Sequence, residues 1–225
     1  MGQSLPIVAD VVIGVVPDLR LQRLQTILGG LYAHGVADAF EVRHMPTSEQ
    51  LSLLLDGEID LGVIHDAVDI RGVETEAIFP GEPVVVFLRA GHRLTGLPAV
   101  GPEDLRDAVL IAAPRAADPS LADRLEASLD DLGYPIGNER RTAGRDVRDV
   151  MFLVAEGLGM ALGSVAVLDG AGDLAALVDH CPLDPPVQMP ATVLAWRTDA
   201  PARMLETIAA AREVARELRN SCSGD

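Results

Sequence analysis

One stretch of the sequence, from Pro46 to Asp66, constrains the fold more than any other. It reads P-T-S-E-Q-L-S-L-L-L-D-G-E-I-D-L-G-V-I-H-D. Helical spacing places three leucines on one face, namely Leu51, Leu54 and Leu55. Gly57 stands where a left-handed residue ends a helix, and the apolar run from Ile59 to Ile64 predicts a short buried strand. A helix, a tight turn and a buried strand in this order are typical of an α/β protein.

Polar residues stand at both ends of this stretch. Thr47 or Ser48 is predicted to N-cap the helix, because a hydroxyl accepts a hydrogen bond from an unpaired backbone N–H. The amides of a helix N-terminus can also hold an anion. His65 and Asp66 end the strand, and α/β proteins place ligands at the carboxyl ends of buried parallel strands. The stretch therefore offers two candidate ligand-binding positions.

The rest of the chain continues the alternation of strands and helices. Strands are expected over residues 9–16, 39–45, 73–79, 84–88, 107–112, 138–142, 174–178 and 191–196, and helices over 19–33, 118–132, 146–156 and 202–218. A tight turn into a strand is expected over 157–163 and a frayed tail over 220–225. The two runs of strand, helix, strand, helix and strand imply right-handed crossovers and parallel sheets.

Composition excludes several classes of function. The 225 residues carry a formal net charge of −16 and no basic run, so this chain should repel the phosphate backbone of a nucleic acid. We find neither a secretory signal nor a long apolar window, so a cytoplasmic protein without a membrane span is expected. Cys181 and Cys222 fit no metal-ligand spacing. Reduced thiols are the simpler interpretation, and a disulfide between the two stays open.

Catalytic motifs are not found in the sequence either. There is no G-x-S-x-G, no nucleophilic cysteine in context and no pair of carboxylates on one face, so an enzyme is not expected. Gly157 and Gly159 end a helix, whereas a dinucleotide-binding fingerprint opens one. The histidines show no zinc-binding spacing, and no cofactor or metal is predicted.

Four segments occur in an order that resembles a known family. These are V-x-I-G-V-V, then L-L-L-D-G-E-I-D-L-G-V-I, then G-H-R-L, then L-V-A-E-G-L-G-M-A-L-G-S. The order is similar to that of the effector-binding domain of LysR-type transcriptional regulators. This resemblance implies an α/β fold of two Rossmann-like subdomains joined by two crossovers, like type 2 periplasmic binding proteins. Subdomain I would comprise residues 9–88 and 165–219, subdomain II residues 89–164, and a flexible tail residues 220–225.

The resemblance also implies a function. The chain would be a ligand-sensing regulatory domain that binds a small polar metabolite in the cleft between the subdomains and changes the regulator's conformation. A homodimer or higher homo-oligomer is implied, and DNA would be contacted only through an N-terminal helix-turn-helix that is absent from this chain. An alternative is a free-standing solute-binding protein of the same fold that delivers a small molecule to a transporter.

Candidate ligand-binding residues combine the pattern with the resemblance. They are Asp18, Thr47, Ser48, His65, Asp66, Pro114, Arg115, Pro119, Ser120, Gly163 and Ser164. The family places an effector-binding hydroxyl at the position of Thr47 and a polar side chain at that of His65, whose ionisation near neutral pH could make binding pH-dependent.

Several of these candidates have an alternative interpretation. Asp18 is an N-cap, a ligand contact that favours an amine or hydroxyl over a carboxylate, or both. Arg115 could pair with a ligand carboxylate or be an ordinary surface arginine. Ser120 or Asp118 is expected to cap the helix that follows. The sequence departs from the family pattern at two places. It has G-H-R-L where the family has H-P-L, and it has Gly163-Ser164 where the family has L-P. These departures leave the class of effector open.

Overall fold

The computed structural model describes residues 10–36, 39–66, 70–113, 115, 119–135, 139–141 and 147–222. The chain divides into two compact units. Unit 1 comprises Met1–Pro17, Leu21–Pro80 and Ala191–Asp225, and unit 2 comprises Asp18–Arg20 and Gly81–Pro190. Each unit is an α/β structure with its own sheet or sheets.

Unit 1 contains five strands and three of the longer helices. In chain order they are β1 (Val11–Val15), α1 (Leu21–Ala33), β2 (Phe40–His44), α2 (Thr47–Asp56), β3 (Leu61–His65), β4 (Val73–Phe79), β10 (Thr192–Arg197) and α6 (Leu205–Cys222), with a short 3₁₀ helix at Ala202–Met204. The strands form one sheet in the order β2-β1-β3-β10-β4. β1 pairs in parallel with β2 and β3, whereas β10 is antiparallel to β3 and β4.

The stretch from Pro46 to Asp66 forms the predicted helix, turn and strand. Gly57 ends α2 with a left-handed φ of 73°, as expected from its lack of a Cβ. Leu54 is fully buried in the apolar cluster beneath β3 and β10. The prediction for Leu55 was wrong, because this side chain is 44% exposed while Leu51 and Leu53 pack on the cluster.

Unit 2 contains the remaining elements. In chain order they are β5 (Val84–Arg89), a 3₁₀ helix (Arg93–Gly96), α3 (Pro102–Leu105), β6 (Leu110–Ala112), α4 (Pro119–Asp131), β7 (Glu139–Arg141), α5 (Val147–Ala155), β8 (Ala161–Ser164), two 3₁₀ helices (Val165–Gly170 and Gly172–Leu177) and β9 (Val178–Pro182). β6 and β7 pair in parallel, and β5 lies between β8 and β9 with antiparallel pairing on both sides. Both edges of β5 are therefore paired with other strands of unit 2.

The bounds of unit 2 differ from the predicted 89–164. The main segment of unit 2 runs from Gly81 to Pro190, and within it β5 pairs with β9 from Val85 to Arg89. Outside β9, Pro83 also bridges to Gln188, so the two crossover segments pair with each other inside this unit. The subdomains predicted from the sequence instead placed nearly all of β5, and all of β9, in subdomain I.

Two other element predictions were wrong. Residues 174–178 do not form a strand, because the chain coils as a 3₁₀ helix from Gly172 to Leu177 and extends only from Val178. The frayed tail was expected from Asn220, but α6 continues to Cys222. The predicted turn into a strand over 157–163 is confirmed, since Ala161–Ser164 pairs with β5.

No helix in the described part of the chain is long and apolar enough to cross a membrane.

Candidate functional site

The N-terminal end of α2 has no side-chain cap. Pro46 is the N-cap residue, with extended φ and ψ of −67° and 159°, and no side chain there accepts from the helix amides. The predicted capping by Thr47 or Ser48 is wrong, because both residues already lie inside the helix. The carbonyl of Pro46 accepts from the amides of Glu49 and Gln50, so the Ser48 amide has no acceptor within the helix.

Thr47 instead joins α2 to the end of β3. Its side chain is 2% exposed, and Thr47 Oγ1 accepts a hydrogen bond from the backbone N–H of His65 at 3.3 Å. The structure therefore brings Thr47 and His65 together, at the carboxyl end of a parallel strand. Ser48, the next residue, is exposed on the first turn.

Gln50 is a buried polar residue of this site that the sequence interpretation missed. It is 0% exposed, and its Nε2 donates to the carbonyls of Met45 at 3.0 Å and Val63 at 3.1 Å. Gln50 Oε1 is buried without a hydrogen-bond donor among the described residues. Helical spacing places Gln50 one turn before the buried Leu54, and this signal could have assigned it to the inner face.

Asp66 ends the strand with an unusual backbone. Its φ is 61°, and it is the one non-glycine residue with positive φ in the described part of the chain. Aspartate tolerates this left-handed region better than most residues. The Asp66 N–H donates to the carbonyl of Ala191 at 2.6 Å, which holds the strand end against the segment before β10.

A second polar group lies in unit 2. Ser164, at the end of β8, is 3% exposed and its Oγ donates to the carboxylate of Glu82. The same Oγ accepts from the Ala166 N–H at 3.0 Å, which caps the following 3₁₀ helix. Arg20 Nε lies 3.0 Å from Glu82 Oε1, an ion-pair distance at which the N–H does not point at the oxygen. Arg20 and Glu82 were not predicted, and no periodic pattern marks them.

The other candidates are dispersed. Asp18 is half-buried in a turn that ends before α1 begins at Leu21, so it does not hold the N-cap position. Arg115 forms ion pairs with Asp123 and, at 2.5 Å, with Glu126, and these carboxylates of α4 engage its guanidinium.

The remaining predicted residues lie on or near α4 and β8. Pro119 opens α4 and is exposed, and Ser120 is an exposed residue of the same helix, so it is not the cap. Gly163 is buried within β8. Pro114 and Asp118 lie outside the described residues. The structure therefore groups Thr47 with His65 in unit 1 and Ser164 with Glu82 in unit 2.

Neither metal nor thiol chemistry is evident in the parts of the chain that are described. No group of three or more His, Cys, Asp or Glu side chains there could hold a metal ion. Cys181 is a free, buried thiol that donates to the Leu97 carbonyl at 3.3 Å, and burial raises its pKa.

Comparison with known proteins places this chain in one class, the regulatory ligand-binding domains of transcription regulators. The chain belongs to the LysR substrate binding domain family, whose model matches residues 9–221. Among curated proteins it is similar to the HTH-type transcriptional regulator AlsR of Bacillus subtilis (strain 168), with 28% identity over 120 residues. That match covers 53% of this chain and 39% of AlsR, so it spans well under half the length of its relative.

Solved structures show the same fold. The effector binding domain of QuiR in complex with shikimate has a TM-score of 0.74 at 15% identity and covers 93% of this chain and 97% of that one. The BenM effector binding domain with its effector benzoate has a TM-score of 0.72 at 21% identity, covering 94% of this chain and 92% of that one. The predicted family and the periplasmic-binding-protein-like fold are confirmed.

Proposed function

We propose that this chain senses a small polar metabolite and that α2 and the end of β3 provide one wall of its binding site. The observation that supports it is the N-terminus of α2, where the N-cap residue Pro46 makes no side-chain cap hydrogen bond and Thr47 accepts from the His65 amide. Helix amides without a side-chain acceptor attract a carboxylate or another acceptor group, and the helix dipole adds to that attraction. Benzoate and shikimate, named with BenM and QuiR, are both carboxylates.

We also propose how binding of the ligand changes the conformation of the regulator. We propose that the ligand binds in a cleft between two subdomains, as the family resemblance implies. A ligand that binds one arrangement of those subdomains more tightly shifts the population toward it. We propose that this shift reaches a DNA-binding helix-turn-helix of the kind for which AlsR is named, within a homodimer or higher homo-oligomer. Strand β5, paired on both sides inside unit 2, does not offer an edge for that assembly.

A thermal-shift screen tests the proposal. Benzoate and shikimate are compared with the matched uncharged compounds benzamide and methyl shikimate, followed by amino acids and sugar acids. A ligand at a hundred times its Kd stabilises the folded state by about 2.7 kcal/mol, which such a screen detects. We expect at least one acid to shift the melting temperature more than its uncharged counterpart.

Variants then locate the site. Thr47→Ala and His65→Ala should abolish the ligand-induced shift, while Ser52→Ala, an exposed hydroxyl on the same helix, should retain it. No shift with any class of small molecule would contradict the sensing function. Chemical turnover of a bound compound would contradict a purely regulatory role.

A further inference from the structure

Gln50 bonds to the carboxyl ends of two parallel strands and shares an acceptor with the end of a third. Its Nε2 donates to Met45, directly after β2, and to Val63 in β3. The Val63 carbonyl also accepts from the Val16 N–H at 3.1 Å, directly after β1. One side-chain amide on α2 is therefore hydrogen-bonded to the carboxyl ends of the strands, which is where α/β proteins bind ligands.

Two paired glycines make room for this amide. Gly14 of β1 and Gly62 of β3 are partners in the parallel ladder. A Cβ at Gly14 would stand 2.9 Å from both Gln50 Cγ and Oε1, and one at Gly62 would stand 3.0 Å from Oε1. A Cβ at Gly14 would also stand 2.8 Å from Ile59 Cδ1, so a side chain at either glycine would crowd the glutamine or its neighbours. Gln50, Gly14 and Gly62 therefore form one fitted set, which we call the glutamine notch.

The notch lies directly under the predicted ligand contacts. Gln50 is one helical turn from Thr47, whose hydroxyl holds the His65 amide. His65 in turn follows Val63, the acceptor of the Gln50 amide, by two residues. Because Gln50 is fully buried, it does not itself present an atom to a ligand in solvent.

We propose that Gln50 is the positioning residue of the ligand site: it fixes the first turn of α2 against the ends of β1, β2 and β3, so that Thr47 and His65 are preorganised before a ligand binds. This inference rests on the proposed function for its consequence in binding, although the fixing itself does not depend on a ligand. A preorganised site binds more tightly because less ordering remains to be done on binding.

Amide hydrogen exchange tests the positioning without any ligand. Gln50→Met keeps the side-chain length and removes both donated hydrogen bonds. We expect the amides of Val16, Met45 and His65 to exchange about tenfold faster, while amides of β4 and β10 are little changed, because opening would be local. The control is Ile78→Val, a fully buried site on β4. Uniform acceleration in both variants would show that Gln50 only adds stability, and would overturn the proposal.

Binding of benzoate and shikimate tests the consequence. Gln50→Met should raise the Kd of whichever acid the wild type binds by about tenfold, whereas Ile78→Val should not. If Gln50→Met folds poorly, the double variant Gln50→Ala with Gly62→Ala refills the notch with a methyl group. That variant should recover the melting temperature relative to Gly62→Ala alone and still bind the acid weakly.

The outcomes separate the two proposals. Wild-type affinity in a folded Gln50 variant overturns the positioning role and leaves the sensing function intact. A wild type that binds neither acid and no other small molecule overturns the sensing function and the role of Gln50 in binding. In that case, the hydrogen exchange of the amides of Val16, Met45 and His65 decides whether Gln50 fixes the strand ends.

Discussion

Ser164 shows how one buried side chain serves two purposes. Its Oγ donates to Glu82 and accepts from the Ala166 N–H, so the hydroxyl satisfies a carboxylate and a helix amide together. The sequence comparison marked this position because the family has proline there, and a proline could make neither bond. At this residue the chain replaces a rigid backbone with a hydrogen-bonded hydroxyl.

Replacing this hydroxyl should therefore be costly. Ser164→Ala removes the cap of the 3₁₀ helix and leaves the buried side of Glu82 less satisfied, so we expect a loss of about 1–3 kcal/mol. Urea unfolding measures the change. Ser120→Ala is the matched control, because Ser120 is exposed on α4, and it should change the free energy of unfolding by less than about 0.5 kcal/mol. Equal effects of the two variants would contradict a special role for Ser164.

Tyr134 gives unit 2 a sensitivity to alkaline pH. The residue is buried, its hydroxyl donates to the Pro185 carbonyl at 2.8 Å, and burial followed by the nearby Asp184 raises the pKa of Tyr134 from 10.0 to about 12. The folded state therefore holds this proton more tightly than the unfolded state. The stability it contributes is present below pH 10 and is lost as the pH rises toward 12.

Urea unfolding at a series of pH values from neutral upward checks this prediction. Tyr134→Phe should show a smaller decline of stability across the window from pH 10 to 12 than the wild type. Tyr32→Phe, at a tyrosine that is 66% exposed, should decline as the wild type does. Parallel curves for wild type and Tyr134→Phe would show that another group causes the decline.

At the scale of elements, arginines attach helix α6 to the edge strand β4. Arg219 donates to Glu76 at 2.5 Å and to the Ala77 carbonyl at 3.2 Å, while Arg212 pairs with Glu74 and stacks over Trp196. β4 is the last strand in the sheet order, and the bond from Arg219 occupies one of its backbone carbonyls. These arginine contacts explain why the helix continues past the end that the sequence predicted.

Arg219→Ala should therefore destabilise unit 1 by about 1 kcal/mol, a modest value because the guanidinium is partly exposed and screened by solvent. Arg216→Ala is the control, since Arg216 lies one turn away and, among the described residues, forms an ion pair with the exposed Glu213 on its own helix. Its effect should stay below about 0.5 kcal/mol in the same chemical unfolding measurement. The prediction fails if Arg216→Ala is as destabilising as Arg219→Ala.

Periodicity predicted the elements that depend on local sequence. The helix, turn and strand between Pro46 and Asp66 were predicted because leucine spacing and Gly57 are local signals. Strand β9 was missed because its residues, V-D-H-C-P, have little strand propensity, and only pairing with β5 makes them extended. Tertiary contacts, not local preference, decide such an element.

The candidate site was predictable only in part, for the same reason. Thr47 and His65 were named from their positions at element ends, and the structure joins them through a hydrogen bond. The role of Thr47 as a cap was wrong because Pro46 takes the N-cap position. The link between Gln50 and two glycines on different strands could not be predicted, since it depends on the register that pairs Gly14 with Gly62.

At the scale of the whole molecule, charge and division into units constrain function together. A net charge of −16 disfavours contact between this chain and a nucleic acid, which agrees with a ligand-binding role in the family. The two compact units have separate apolar clusters: one in unit 1 contains Leu54, and one in unit 2 contains Leu105. Separate cores predict that each unit can lose structure without the other.

Two natural probes can follow the units independently. Trp196, the single tryptophan, is buried in β10 of unit 1, and Cys181 is buried in β9 of unit 2. In a Cys222→Ser background, Cys181 is the only thiol, and its raised pKa makes it react slowly until unit 2 opens. Tryptophan fluorescence and thiol labelling during a urea titration therefore report different units.

Core variants then decide whether the units unfold separately. Leu54→Ala should lower the midpoint reported by Trp196, and Leu105→Ala the midpoint reported by Cys181, since each removes a fully buried side chain worth about 2–5 kcal/mol. The other probe should shift much less in each case. If both variants shift both probes equally, the molecule unfolds as one cooperative body.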